Sequence, residues 1–492
     1  MKNLLTTLLA IICCLQAESQ RLIKTKEQTY KTTKDLEIEG QSGFLEVPEN
    51  RNNPDSRTIK IKYIWLKSIA EKPEVPTVFI AGGSGQSTWE AESPEDLTYW
   101  IELLEVSDLI FVDRGGENDK SLIHLWKNDL PEDVLVTEEA AEQHYQQMVA
   151  EALPSFKAKG VDVRGYNIEE HANDINDLMT ALGIERYSIF GFSFGSHIGM
   201  TAMKLFPDRI ERAVLSGPDA PNQAFNFPRY LDQHVELISE MVKKDSLVNQ
   251  EVPDFKALVD RVMKKLKDNP VTVEVKNPIN RKKMKVKVGA FGMAVILRLD
   301  IDDIHDIPVL PRLFYTIDQG DYSALTYFVQ RRIVFSMAVP GSGINQYLVS
   351  GASDERWAQI EKEADESIFG NVVNFPFSGA RGHWLTDNPS KDLSFDSSLP
   401  ITSDIPTLFI TGMLDCRTPV AQVEETMQGF SDATHIKVKG AGHELAHWQS
   451  TVSNEYIPAF LRGQEVAKTQ VTYSKIKFIK VTGSSDRHPS LK

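Results

Sequence analysis

The chain has 492 residues, 41% hydrophobic and 25% charged. This is the balance of a water-soluble globular protein with about two to three domain-sized units. Its formal net charge of −15 argues against nucleic acid or an anionic membrane as partner, since both need basic surface. A cationic or amine-bearing substrate suits that charge better.

The first residues read as an export signal. Lys2 is followed by an apolar stretch from Leu4 to Leu15, too short to cross a bilayer, and cleavage is expected after Ala17. The protein is therefore expected to be periplasmic or secreted. Cys13 and Cys14 raise a lipoprotein alternative, but Ile12 is not the small residue that usually precedes a lipidated cysteine. Removal of this segment leaves Cys416 alone, so no intrachain disulfide is possible. Cys416 then reads as a small buried hydrophobe.

Residues Gly43–Pro48 and Ile59–Leu66 alternate apolar and polar side chains and predict an opening antiparallel hairpin. Val78–Ile80 and Leu109–Val112 are short continuous apolar runs, as in strands buried on both faces. Asn167 and Glu170 form a capping-box pattern, Ile168, Ile175, Leu178, Met179 and Leu182 share one face, and Gly183 ends the pattern: a helix. An apolar strand from Arg186 to Phe192, a helix from Ser196 and the strand Ala213–Ser216 follow. This alternation predicts a parallel sheet flanked by helices.

The pattern then changes. Helical stretches (Tyr230–Lys243, Asp254–Lys267, Asp354–Glu366) and a hairpin around Asn277–Asn280, with the basic run Arg281–Lys287 on its exposed face, occupy the middle of the chain. Strand signals return at Pro406–Gly412 and His435–Val438. The chain thus divides into a signal peptide (1–17), a sheet-forming core (18–220), a mainly helical cap inserted between late strands (221–400), the rest of the core (401–465) and a C-terminal extension (466–492). The extension is expected to hold a short β-like run, Lys475–Val481, and a disordered polar tail from Thr482.

Gly191-Phe192-Ser193-Phe194-Gly195 lies at the junction of the predicted strand and helix. G-x-S-x-G alone is a weak signal. Between strand and helix it describes a sharp turn that lifts a serine clear of the sheet. A serine hydroxyl needs a base to take its proton, and the base needs a carboxylate to orient it. Asp415 follows the strand ending at Gly412, and His443 follows the next, 28 residues later. That spacing leaves room for one helix and one strand. Negative charge on the substrate oxygen needs donors; the Phe194 amide and, from the loop Ala81-Gly82-Gly83-Ser84-Gly85, the Gly83 amide can supply them.

Other readings compete at these positions. Asp415 could cap the helix starting near Thr418-Pro419, leaving Asp219 as the acid. His197 stands one helical turn past the serine and reads as a packing residue. His443-Glu444-Leu445-Ala446-His447 spells H-E-x-x-H, a zinc-peptidase signature. Gly440 to Gly442 put His443 in a loop rather than inside a helix, and the zinc reading leaves Ser193, Asp415 and the glycine loop unused.

These segments resemble the prolyl aminopeptidase and tripeptidyl aminopeptidase group of α/β-hydrolases, from about Gly43 to Leu461. Gly43–Arg51 is similar to that group's opening hairpin, Ala81–Gly85 to its H-G-G-P-G loop, and Gly412–Pro419 and Gly440–His443 to its acid and histidine segments. Ala81 and Ser84 replace the loop's usual His and Pro, and Asp113-Arg114-Gly115-Gly116 matches D-Q-R-G only in part. The resemblance implies an α/β-hydrolase core with a cap. It also implies Ser193, Asp415 and His443 as nucleophile, acid and base, with Gly83 and Phe194 as oxyanion donors. An aminopeptidase acting on the free N-terminus of short peptides is expected, with an ester hydrolase on the same triad as the alternative. Neither metal nor organic cofactor is implied. Prolyl aminopeptidases hold the substrate amine with cap carboxylates; here Asp354, Glu355, Glu361, Glu363, Asp365 and Glu366 match no amine-binding position, and most of them read as a solvated helix face. The sequence leaves the oligomeric state open.

Overall fold

Runs of β-branched and aromatic residues build one ten-stranded sheet in the computed structural model, which describes residues 21–83, 93, 97–113, 122–384, 393–444, 446–466, 468–483 and 488–491. Its strands are β1 (Arg21–Lys31), β2 (Glu37–Pro48), β3 (Thr58–Leu66), β4 (Glu74–Ile80), β5 (Ser107–Asp113), β6 (Tyr187–Phe192), β7 (Ile210–Ser216), β8 (Thr407–Gly412), β9 (Ala433–Lys439) and β10 (Gln470–Thr472). The spatial order is β1-β2-β3-β5-β4-β6-β7-β8-β9-β10. The first three strands pair antiparallel, β3 meets β5 antiparallel, and every later pairing is parallel. Side chains alternate across the central strands. Val78 and Ile80 enter the cluster on one face, with Ile175, Met179 and Ile198, while Phe79 enters the other, with Trp100, Phe111 and Phe190. The predicted signal segment lies outside the described residues.

Two helices on the first face frame the strand β6. Asn167 caps α2 (Ile168–Ala181) by accepting the Glu170 amide at 2.8 Å, and α3 (Phe194–Leu205) follows β6 directly. Arg51, in the turn after β2, reaches Glu170, Asp174 at 2.7 Å and Asp177 at 2.6 Å along α2, fastening the opening hairpin to the core.

β7 and β8 are parallel neighbours, with Leu215 opposite Phe409, yet almost two hundred residues separate them in sequence. The intervening chain forms α4 (Arg229–Lys243), α5 (Phe255–Asp268), α6 (Ala290–Asp300), α7 (Leu310–Asp318), α8 (Ser323–Arg332), α9 (Gly341–Ser350) and α10 (Asp354–Glu366). It also holds the hairpin Val271–Lys276/Lys283–Val288. With α1 (Glu138–Ala158), these elements enclose their own apolar core.

The structure corrects four expectations. The sheet opens one strand earlier, because β1 pairs with β2 although its largely exposed side chains carry no apolar alternation. The run Lys475–Val481 forms no strand. Its alternation arises from a segment that packs Ile476, Phe478, Ile479 and Val481 onto the helical insertion, with the Ile479 amide donating to the Pro308 carbonyl at 3.0 Å. The polar tail is anchored where it is described: His488 is buried, 2.8 Å from Asp306, and stacks on Phe328. Residues 484–487 and 492 lie outside the described residues. On α10, Glu363 departs from the solvated acidic face; it is buried and paired with Arg229.

Candidate active site

The turn after β6 forces Ser193 to a φ of 51°, a left-handed conformation costly for a residue with a side chain. Its amide donates to the Ser216 carbonyl at 2.9 Å, and its carbonyl accepts the Ser196 amide at 2.9 Å. A Cβ on Gly191 would stand 2.7 Å from Ser196 Cα, and one on Gly195 would collide with the Ile80 and Ala81 carbonyls. Strand and helix can therefore approach only with glycine at both positions. The second contact also sets the start of α3 against the loop after β4. Phe194 is the first residue of α3, where amides lack intrahelical acceptors. Gly83, with a φ of 72°, lies in the facing loop; Ser84 and Gly85 lie outside the described residues, as do Arg114 to Gly116.

Three distant segments converge on the serine. His443 Nε2 is 2.9 Å from Ser193 Oγ, and His443 Nδ1 is 2.8 Å from Asp415 Oδ2. With Nδ1 carrying the proton, the imidazole donates to Asp415 and accepts from the serine hydroxyl. Asp415 also accepts the Thr418 hydroxyl at 2.7 Å and the amides of Arg417 (2.9 Å) and Thr418 (2.8 Å). Burial alone raises the Asp415 pKa, but the His443 charge and these hydrogen bonds outweigh it and hold the carboxyl at about 2. The group therefore stays ionised. Through the Arg417 and Thr418 amides it also shapes the turn leading to α11 (Val420–Met427), but it does not cap that helix, whose N-cap is Pro419 with no side-chain hydrogen bond.

Asp219, the rival acid, does not contact His443. Its amide approaches the Ser193 carbonyl at 3.3 Å and its carboxylate accepts the Ala220 amide at 3.1 Å. Burial raises it to about 7 against the Ala220 amide and Arg356. His197 is fully buried without a hydrogen-bond partner, beside the Phe194 ring. His447 lies against Ser216, Nδ1 to Oγ at 2.9 Å, and packs on Phe190 and Phe192. The two histidines of H-E-x-x-H thus face different partners, and His443 has both ring nitrogens committed. Among the described residues no three His, Cys, Asp or Glu side chains gather as a metal site. Cys416 is buried and unpaired.

Sequence reasoning missed the supports. Thr418 looked like part of a helix start, yet its hydroxyl braces Asp415 and stands 3.2 Å from His443 Nδ1. Ser216 ties the His447 ring to the elbow. Arg417 forms a double hydrogen bond with buried Asp302, both at 3.0 Å, and a Cβ on Gly442 would collide with the Asp302 carbonyl. One insertion residue therefore braces both the acid and the histidine loops. The only signal for it was an unassigned aspartate after α6.

Comparison with known proteins agrees with this architecture. Residues 149–247, which contain Ser193, match the family model described as alpha/beta hydrolase fold, and residues 383–472, which contain Asp415 and His443, match the TAP-like protein model. The chain is similar to the serine protease Hip1 of Mycobacterium tuberculosis and Mycobacterium bovis, 27% identical over 190 residues, 37% of this chain. The match spans 36% of those relatives' length. Solved structures similar to the chain include a bromoperoxidase from Bacillus anthracis (16% identity, TM-score 0.34, covering 85% of this chain and 99% of that one). An esterase from Exiguobacterium antarcticum is also similar (15%, TM-score 0.36, 85% and 98%). No helix among the described residues is long and apolar enough to cross a membrane. The chain has the α/β-hydrolase fold, and its C-terminal part is similar to TAP-like proteins.

Proposed function

We propose that the protein is an exported serine hydrolase that cleaves an acyl bond through an acyl-enzyme. The observation that carries this reading is the continuous hydrogen-bonded line Asp415–His443–Ser193. Ser193 Oγ attacks the carbonyl carbon while His443 Nε2 takes its proton, and Asp415 holds the imidazole in the required tautomer and stabilises its charged form. The amides of Phe194 and Gly83 donate to the oxygen that becomes negative. The tetrahedral intermediate then collapses: His443 returns the proton to the leaving nitrogen, and water repeats the sequence in reverse.

The favoured substrate is a short peptide with a free amino terminus, enclosed by the helical insertion (residues 221–400) acting as a cap. The TAP-like match and the likeness to a serine protease support it, as does the net negative charge. Purified protein should be labelled at Ser193 by a fluorophosphonate and should retain activity in chelator. A panel of aminoacyl-coumarins beside N-blocked counterparts tests the specificity, because an aminopeptidase rejects the blocked compounds. Turnover of blocked substrates or simple esters alone would replace the aminopeptidase reading with ester hydrolysis; a folded protein that resists labelling would overturn the serine mechanism. Export through residues 1–17 predicts a mature N-terminus at Glu18, readable by N-terminal sequencing of exported protein.

A further inference from the structure

Arg298 on α6 stands apart from the cations around it. Arg331 pairs with Asp300 (2.7 Å) and Asp306 (3.0 Å), Arg332 pairs with Asp300, and Arg417 pairs with Asp302 (3.0 Å). Arg298 forms no ion pair with any described residue. Its Nη1 donates to the Val373 carbonyl at 3.2 Å, and its Nε is buried with no hydrogen-bond partner. The groups acting on it electrostatically include the phenols of Tyr347 and Tyr145, the cations Arg332 and Arg417, and the Phe335 ring, whose centroid lies 5.9 Å from the guanidinium carbon. A charge withdrawn from water without a counter-charge is costly, so its retention calls for an anion supplied from outside the chain.

The surroundings place that anion beside the catalytic groups. Most of α6 is buried, yet Arg298 keeps part of its surface accessible, as does Tyr347 on α9. With Nε sealed and Nη1 on Val373, Nη2 is the guanidinium nitrogen left without a hydrogen bond to a described residue and absent from the buried unpartnered atoms. The Tyr347 ring stacks on Phe194, next to the nucleophile, at 5.6 Å and 17°, and on Phe377 at 4.1 Å. Val373, which anchors Arg298, and Phe377, which carries Tyr347, belong to the same short stretch of chain. Arg417 lies two residues past Asp415. Asp219 acts electrostatically on Tyr347 and on Arg356, but it forms no ion pair with Arg298.

The geometry points to Arg298 and the Tyr347 hydroxyl as a carboxylate-binding subsite of the hydrolase site, taking the free C-terminal or side-chain carboxylate of a short peptide. One guanidinium matches a singly charged planar carboxylate, which accepts from adjacent N–H groups, while the phenol donates a second contact. The subsite rests on the serine-hydrolase reading and narrows its substrate class to peptides short enough to carry an anion into the site.

Binding of matched tripeptides to the full-length Ser193→Ala protein, measured by calorimetry, tests this without turnover. One pair differs in C-terminal acid against amide, the other in a glutamate against a glutamine side chain with the terminus amidated. At least one acid is expected to bind tenfold or more tightly than its neutral partner, and whichever pair shows the gap identifies the carboxylate. Adding Arg298→Met should reduce that gap to about twofold. Equal binding within both pairs, absence of binding by all four peptides, or a gap that survives Arg298→Met would overturn the subsite. The comparison in Ser193→Ala stands whether or not the second variant folds. Failure of the serine mechanism itself is read separately, as wild-type protein that resists the fluorophosphonate.

Discussion

Gly82 lies directly against Ser193: a methyl group added to the glycine would stand 2.8 Å from the serine Cβ and 2.9 Å from the Phe192 ring. The loop after β4 and the elbow are therefore packed backbone to side chain, and neither can shift alone. Gly82→Ala should push Ser193 from its position against His443. Displacements on the order of 1 Å cost about a hundredfold in rate, so kcat/KM is expected to fall about that much. The protein should remain folded by circular dichroism. Full activity in the variant would show that the loop can retreat.

Asp415 and Thr418 should separate by magnitude. Asp415→Asn leaves shape intact but favours the wrong imidazole tautomer, and a loss of about 10⁴ in kcat is expected. Thr418→Val removes one donor to the carboxylate while three others remain. A hydrogen bond to a charged group is worth about 1.5–3 kcal/mol, so roughly ten- to a hundredfold should be lost. Equal losses in both variants, measured by steady-state kinetics, would contradict this ranking.

His197 links stability to pH. Its burial pulls the imidazole down to about 3 from the ordinary 6.5, so the folded state stays neutral where the unfolded chain binds a proton. The stability it contributes is present above 6.5 and is lost as pH falls toward 3, at about 1.4 kcal/mol per pH unit. His197→Met removes that dependence. Relative to wild type, the variant should gain about 2–3 kcal/mol between pH 7.5 and 4.5 in urea unfolding. An unchanged difference at the two pH values would show that the ring is not held neutral.

Arg417→Gln tests the brace between insertion and core. It leaves Asp302, fully buried, without its cation, and breaking a buried pair from one side costs about 3–5 kcal/mol. The acid loop is held by the same contact. Denaturant midpoint and kcat are therefore expected to fall together. The double variant Arg417→Met/Asp302→Leu should recover much of the stability, because no buried charge is left unpaired.

The chemistry-bearing positions were legible because each sits where local rules leave few options. Glycines on both sides of Ser193, a loop after a buried strand and a histidine preceded by glycines are short-range patterns, and sequence alone pointed to the parallel core and the candidate triad, whereas the spatial order of the strands came only from the fold. The four-residue H-E-x-x-H pattern was equally short-range, and only the turn at His443 and the Ser216 contact of His447 separated its two histidines. β1 could not be read because an edge strand paired on one side needs no apolar alternation, and Lys475–Val481 misled because packing on helices imitates a strand's pattern. Asp302, Thr418, Ser216 and Arg298 act through neighbours up to hundreds of residues away. Their roles depend on which buried groups find partners, a property of the folded interior that no local spacing records.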